Sequence, residues 1–117
     1  MNSEQAFVAI QSHCLSKEGA IEDEPWEGHA GWKIAGKLFG IGSPGSGVLT
    51  VKNTPDKQAL LIQHPNVEKA AYVGRYGWVT VTVNSEESLE MALDLIDESY
   101  DLVAPKRRRA TSSKAVP

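Results

Sequence analysis

The sequence predicts an α+β domain with a single antiparallel β-sheet and helices packed on one face, in the order α-βββ-α-ββ-α. Two observations support this fold class. Short runs of strand-forming residues are joined by glycine-containing connections that are too short for a parallel crossover. Three other segments place apolar residues three and four positions apart, so that each of them can bury one helical stripe against the sheet.

The first helix is expected to begin at Asn2 or Ser3, since either side chain can cap the first turn. An apolar stripe follows, formed by Ala6, Phe7, Ile10 and Cys14. The helix is expected to end near Ser16. Residues 17–28 are crowded with acidic side chains and interrupted by a proline, so they are interpreted as a loop.

Three strands are predicted next, at residues 32–34, 38–41 and 48–51. Glycine-containing segments at 35–37 and 42–47 separate them. Connections of this length and composition are typical of β-hairpins. These strands are therefore expected to pair in antiparallel fashion.

A second helix is expected to begin at Thr54, because a threonine cap followed by Pro55 is a strong helix start, and to end by Pro65. A weak strand is predicted at residues 70–73. A clearer one follows at 78–83, where apolar and polar residues alternate.

The last helix has the most continuous apolar stripe, and it is expected to end at Pro105. The stripe consists of Leu89, Ala92, Leu93, Ile96, Tyr100 and Val103. A second, exposed stripe is acidic and consists of Glu90, Asp94, Asp97, Glu98 and Asp101. The repulsion within it is small enough to be tolerated on a surface. The alternative hypothesis is that the basic residues after Pro105 fold back onto it.

Length and charge divide the chain into one domain at residues 1–105 and a tail at 106–117. The first part contains seven Lys or Arg and all fifteen acidic residues, a net charge of −8, whereas the tail has five basic residues and no acid. We expect the tail to be disordered, as a solubilising end or as a phosphate-binding arm. If all five tail cations bound phosphates, log K would fall with log salt at a slope of about −4.5.

Composition gives a further expectation about the compartment. The hydrophobic fraction of 41% and mean hydropathy of −0.29 are typical of a soluble domain, and no apolar run is long enough for a membrane span. The chain contains a single cysteine, Cys14, and shows no secretory signal at its start. These features favour a cytoplasmic protein.

The sequence offers little for catalysis, so we expect a protein without enzymatic activity and without a cofactor. His13 and Cys14 are adjacent on the first helix and would point about 100° apart, with Cys14 in the apolar stripe. That placement predicts a buried thiol and no Cys/His pair. The glycines of 40–47 lack the lysine of a phosphate-binding loop, and a hairpin turn explains them better.

Four segments, in the same order, resemble the MmcQ/YjbR family. They are Pro25-Trp26, Trp32-Lys33-Ile34-Ala35-Gly36-Lys37-Leu38-Phe39, Tyr72-Val73-Gly74-Arg75-Tyr76-Gly77-Trp78-Val79 and Glu98-Ser99-Tyr100-Asp101-Leu102-Val103. The resemblance extends from about His13 to Val103. It implies a fold similar to that of CyaY, the bacterial frataxin, with a "double wing" of β-hairpins, and a DNA-binding function.

The residues expected to bind nucleic acid are cations with aromatic side chains among them, because such sets attract phosphates and stack on bases. They are Lys33, Lys37, Lys52, Arg75, Tyr76 and Trp78 in the domain and Lys106, Arg107, Arg108 and Arg109 in the tail. Arg75 and Tyr76 would form one wing tip, and Lys33 to Lys37 the other. Taken singly, each residue is slightly better explained as an ordinary solvated lysine or a tryptophan packed under a loop, whereas for the cluster the two explanations are equal.

Two other functions stay open. The chain could be a protein-interaction adaptor that uses the sheet face and its exposed aromatic residues. It could also bind a metal ion as frataxins do, through the acidic segment of Glu22, Asp23, Glu24 and Glu27 near His29, although the spacing of these residues matches no defined metal loop.

Overall fold

The computed structural model describes residues 1–105, and the tail at 106–117 lies outside the described residues. Its helices are α1 (Ser3–Leu15), α2 (Pro55–Leu61) and α3 (Glu86–Val103). Its strands are β1 (Ile21–Trp26), β2 (His29–Ile34), β3 (Lys37–Gly42), β4 (Val48–Val51), β5 (Val67–Lys69) and β6 (Val79–Thr82). A short 3₁₀ turn, Gly74–Tyr76, precedes β6.

The six strands form one sheet in the order β1-β2-β3-β4-β6-β5, and every neighbouring pair is antiparallel. Helices α1 and α3 pack against each other and against this sheet. The predicted fold class is therefore confirmed. The predicted order is wrong in one respect, because four strands and not three lie between α1 and α2.

The additional strand is β1, which occupies the segment that was expected to be a loop. Acidic residues and a proline disfavour a central strand, but β1 is an edge strand, where both are tolerated. Long-range contacts fix it there: Trp32 Nε1 donates to Glu22 Oε1 at 2.9 Å, and Lys33 Nζ is 3.0 Å from Asp23 Oδ2. The loop prediction failed because these cross-strand partners are not visible in the local sequence.

The weak strand predicted at 70–73 is also misplaced, since β5 comes three residues earlier. Val67 is buried and pairs with Val81 of β6, although Val-Glu-Lys is a poor strand sequence by itself. The chain turns tightly after Ala70: the amide of Val73 donates to the carbonyl of Ala71 at 2.6 Å. A strand cannot continue through such a turn.

The three predicted helices are confirmed, with Asn2 and Thr54 as caps. The buried side of α3 differs in detail from the predicted stripe: Leu93 is only partly buried, whereas Leu95 and Ser99 are buried. The Ser99 hydroxyl donates to the carbonyl of Phe39 at 2.6 Å and accepts from the amide of Lys52 at 3.0 Å. No helix within residues 1–105 has the length and apolar character required to cross a bilayer.

The core centres on Trp32, which is fully buried between the sheet and α1. Its ring is 6.1 Å from that of Phe7, centroid to centroid. On the neighbouring strand, Gly40 and Gly42 leave room for the indole, since a Cβ atom on Gly42 would lie 2.8 Å from it. On the other side of the core, the Phe39 and Tyr100 rings meet edge to face at 5.5 Å.

The acidic stripe expected on α3 is divided between two sets of partners. Asp97 accepts from His13 Nε2 at 2.8 Å and also pairs with Lys17, which joins α3 to α1. Glu98 pairs with Lys57 at 3.2 Å, which joins α3 to α2. Part of the stripe therefore holds the helices together, while Glu90 and Asp94 are exposed.

The Asp97 pairs predict a specific pH dependence of stability. Partial burial acts to raise the pKa of Asp97, but the hydrogen bonds and charges of Lys17 and His13 outweigh it and lower that pKa below the usual aspartate value. A lowered pKa in the folded state stabilises the fold above the unfolded pKa of about 3.9, and this contribution is lost as the pH falls through the folded pKa.

We therefore expect Asp97→Asn to lower the free energy of unfolding by about 0.5 to 1 kcal/mol at neutral pH, because 45% of the Asp97 side chain stays exposed. The difference from the wild type should shrink below about pH 4. Thermal melts across this range would measure it. Asp94→Asn, an exposed position on the same helix, is the control. An Asp97→Asn deficit that stays constant into strong acid would contradict the prediction.

Candidate nucleic-acid interface

One end of the sheet collects three of the four cations that the sequence singled out within residues 1–105. At this end β2 and β4 finish and β3 and β6 begin, so the turn at Lys37, the residue Lys52 after β4 and the connection with Arg75 before β6 all lie there. We call this the cation end. With neighbouring strands about 4.8 Å apart, the distance from β2 to β5 is roughly 19 Å.

Lys33 does not join the other cations. It pairs in register with Leu38, whereas the next residue, Ile34, pairs with Lys37, so the two lysines project from opposite faces of the hairpin. Lys33 also forms an ion pair with Asp23. The pKa of Asp23 is lowered because its carboxylate accepts hydrogen bonds from Lys33 and from the amide of Glu24. The two lysines therefore do not lie on one face of this turn, and their joint role as a wing tip stays a prediction.

Residues 70–78 connect β5 to β6 across the cation end, and we call them the 70–78 segment. Gln58 of α2 is buried and anchors this segment, because its Nε2 donates to the carbonyls of Gly74 at 2.6 Å and Trp78 at 2.8 Å. Arg75 lies over the ring of Tyr76, with 4.9 Å between the guanidinium carbon and the ring centroid. Tyr76 is exposed, so both side chains are accessible.

The aromatic residues of the cation end differ from the expected set. Trp78 is half-buried, and Trp32, whose exposure the sequence left open, is fully buried in the core. Tyr72 was not expected to contribute, because it was assigned to a strand, yet its side chain is 98% exposed. The glycines at positions 74 and 77 were the local signs of an irregular segment.

The carboxylates near the cation end are partly neutralised by contacts within the fold. Glu98 accepts from Asn53 Nδ2 at 3.0 Å as well as from Lys57 Nζ. Asn53 itself is buried and holds the start of α2, because its Oδ1 accepts from the amide of Thr54 at 2.9 Å. Three of the candidate cations, Lys37, Lys52 and Arg75, form no ion pair with another residue of the described chain. Their charges are therefore available to an anionic partner.

Helix α3 returns the chain to this same end. It has 18 residues, or about 27 Å, and runs from the end of β6 to the contacts of Ser99 with Phe39 and Lys52. The last described residue is Pro105, after which the four consecutive basic residues begin. Residues 106–117 lie outside the described residues, so the hypothesis that the tail folds back onto α3 stays a prediction.

The thiol of Cys14 is buried, as predicted. Burial raises its pKa, so the thiol stays protonated and is a poor nucleophile. The neighbouring imidazole of His13 is directed to Asp97. The two side chains therefore form no catalytic pair.

The acidic segment lies beside an open cleft of about 570 Å³, lined among others by Phe7, Gln11 and His29. Glu22 there accepts hydrogen bonds from Gln11 and Trp32, so its carboxylate is already engaged. Within residues 1–105, no three His, Cys, Asp or Glu side chains are grouped as a metal ion would require.

The fold is that of a small single-sheet α+β domain, and the sequence assigns it to a family. Residues 15–102 match the family model YjbR, so this chain belongs to the YjbR family. The chain is 32% identical over 75 residues to the "Uncharacterized protein YbdF" of Escherichia coli O157:H7. That match covers 62% of this chain and spans 62% of the relative's length.

Two solved structures have a similar fold. The DUF419 domain protein DR2400 of Deinococcus radiodurans superimposes with a TM-score of 0.76 at 21% identity, covering 97% of this chain and 89% of that one. A protein from Pseudomonas syringae gives 0.65 at 20% identity, covering 88% and 99%. At these identities the likeness establishes the fold alone.

Proposed function

We propose that this protein is a non-enzymatic nucleic-acid-binding module that contacts the phosphate backbone of DNA through the cation end and the basic tail. The observation that supports the proposal best is topological. Lys37, Lys52 and Arg75 come from three separate connections, and the antiparallel sheet places all three at the end where α3 finishes and the tail begins.

The charge distribution is consistent with binding in one orientation. Residues 1–105 have a net charge of −8, so most of the surface repels a polyanion. Contacts with phosphates are then restricted to the cation end and to the basic tail. Backbone contacts of this kind fix position without reading the base sequence, so the proposed binding is weak and nonspecific.

The salt dependence of binding tests the proposal. If Lys37, Lys52 and Arg75 at the cation end and the five cations of the tail all contact phosphates of a DNA duplex, log K should fall with log salt at a slope of about −7. Truncation after Pro105 should reduce the slope to about −3, and Arg75→Gln should reduce it by about one more. Fluorescence anisotropy with a labelled duplex at several salt concentrations measures these slopes.

Gly45→Glu is a matched control for Arg75→Gln, because it changes the net charge by the same amount at the opposite end of the sheet. A Cβ atom at Gly45 meets no atom within 4 Å, so this variant should fold normally. Its affinity should stay within about twofold of the wild type. Equal effects of the two substitutions would show that net charge alone matters, and would contradict a role for the cation end.

The proposal would be overturned if the affinity for the duplex did not change with salt concentration, or if truncation after Pro105 left the slope unchanged. Binding of a protein partner that is insensitive to salt and lost on Trp78→Ala would support an adaptor instead.

A further inference from the structure

Tyr72 combines two features that stability does not explain. Its side chain is 98% exposed, so the ring gains almost nothing from burial. Its backbone φ is +62°, in the left-handed region that residues other than glycine rarely adopt. Within residues 1–105, Ala35 is the other non-glycine residue with a positive φ, and it lies in the tight β2–β3 turn next to Gly36.

The strain at Tyr72 has an identifiable geometry. The amide of Val73 donates to the carbonyl of Ala71 at 2.6 Å, which closes a three-residue γ-turn around Tyr72. A γ-turn with a positive central φ is the rare and strained form. For a residue with a side chain, the left-handed conformation costs about 1–2 kcal/mol. Strain of this kind persists where the surrounding structure enforces it, and it is concentrated at functional sites.

Contacts outside the turn hold the 70–78 segment in this conformation. Gln58 binds the carbonyls of Gly74 and Trp78, and the amide of Ala70 donates to the carbonyl of Trp78 at 3.2 Å. The side chain of Lys69 packs against Gly74. The segment therefore presents Tyr72 and Tyr76 from a fixed backbone, and little conformational entropy is lost when a ligand contacts them.

We infer that the ligand of the cation end is single-stranded nucleic acid, with unpaired bases stacked on Tyr72 and Tyr76. This inference rests on the proposed function and specifies its ligand. Exposed rings beside a cation are the combination that single strands use, since every base offers a flat face and each base–aromatic stack contributes about 1–3 kcal/mol. In a duplex the base faces are already stacked, so the two rings would contribute little there.

The test compares two substitutions with the same backbone cost. Tyr72→Leu removes the aromatic face, and Tyr72→Phe keeps it. We expect Tyr72→Leu to weaken binding to a labelled oligothymidine of about 15 nucleotides roughly tenfold, and Tyr72→Phe to bind within about twofold of the wild type. Neither should change binding to a duplex of the same length. Both variants should have the same melting temperature as the wild type, because the ring of Tyr72 is almost wholly exposed.

Each other outcome has a defined meaning. If Tyr72→Leu binds the single strand as well as the wild type does, or Tyr72→Phe loses as much affinity as Tyr72→Leu, the stacking role is overturned. Tighter binding to the duplex than to the single strand overturns this inference and leaves the proposed function standing. If the wild-type protein binds neither probe at low salt, both fail together.

Discussion

Replacement of Trp32 by alanine is expected to lower the free energy of unfolding by about 4 kcal/mol. The indole is completely buried, and the neighbouring Gly40 and Gly42 have no side chains that could fill the space it would leave. Its Nε1 also donates to Glu22, so the substitution removes a link between β2 and the edge strand β1. For a domain of this size, the melting temperature should fall by roughly 20 °C.

Trp26→Ala is the matched control, because it removes the same side chain from the same hairpin. Trp26 is 57% exposed, and its described ring contact is an edge-on approach to His29 at 6.2 Å. We expect a change below about 1 kcal/mol for this variant. Chemical denaturation measures both variants, and similar losses for Trp26→Ala and Trp32→Ala would contradict the description of the core.

Gly77→Ala is expected to destabilise the fold by about 3 kcal/mol. Two effects combine at this position: φ is +99°, which disfavours any side chain, and a Cβ atom would lie 2.0 Å from the carbonyl oxygen of Asn53. Backbone atoms cannot rotate away as a side chain does. The 70–78 segment would therefore have to move away from Asn53 and the start of α2.

Gly28→Ala separates the two effects. Gly28 also has a positive φ, +81°, but a Cβ atom there meets nothing within 4 Å. Gly28→Ala should therefore lower the free energy of unfolding by about 1 kcal/mol, because only the backbone conformation is disfavoured. The difference of about 2 kcal/mol between the two variants measures the contact with Asn53. Equal unfolding free energies would show that this contact does not constrain the segment.

Local signals made most of the fold predictable. The caps Asn2 and Thr54 and the apolar spacing of α3 are properties of short segments, and they located all three helices. Strands β2, β3, β4 and β6 were found because their apolar runs are separated by glycine-containing turns. Strand β1 was missed because its residues form a strand only when β2 offers partners for Glu22 and Asp23.

The candidate interface was less predictable, because it depends on register and on distant anchors. A shift in the β2–β3 pairing between Trp32 and Lys33 fixes the face from which Lys33 projects, and no feature of the sequence marks that shift. Tyr72 is exposed and strained because the 70–78 segment is held by Gln58, more than ten positions earlier in the chain. Residue type alone identified the candidate cations but not the way they are grouped.

The two outer strands of the sheet have a consequence for how copies of this protein meet at high concentration. Strand β1 has three consecutive acids followed by Pro25, and its pairing with β2 is irregular between Asp23 and Trp26; at the other side, β5 is only three residues long. An approaching strand from another molecule would meet like charge, a missing amide and a kinked backbone. Growth into fibrils by strand addition is thereby opposed at both margins of the sheet.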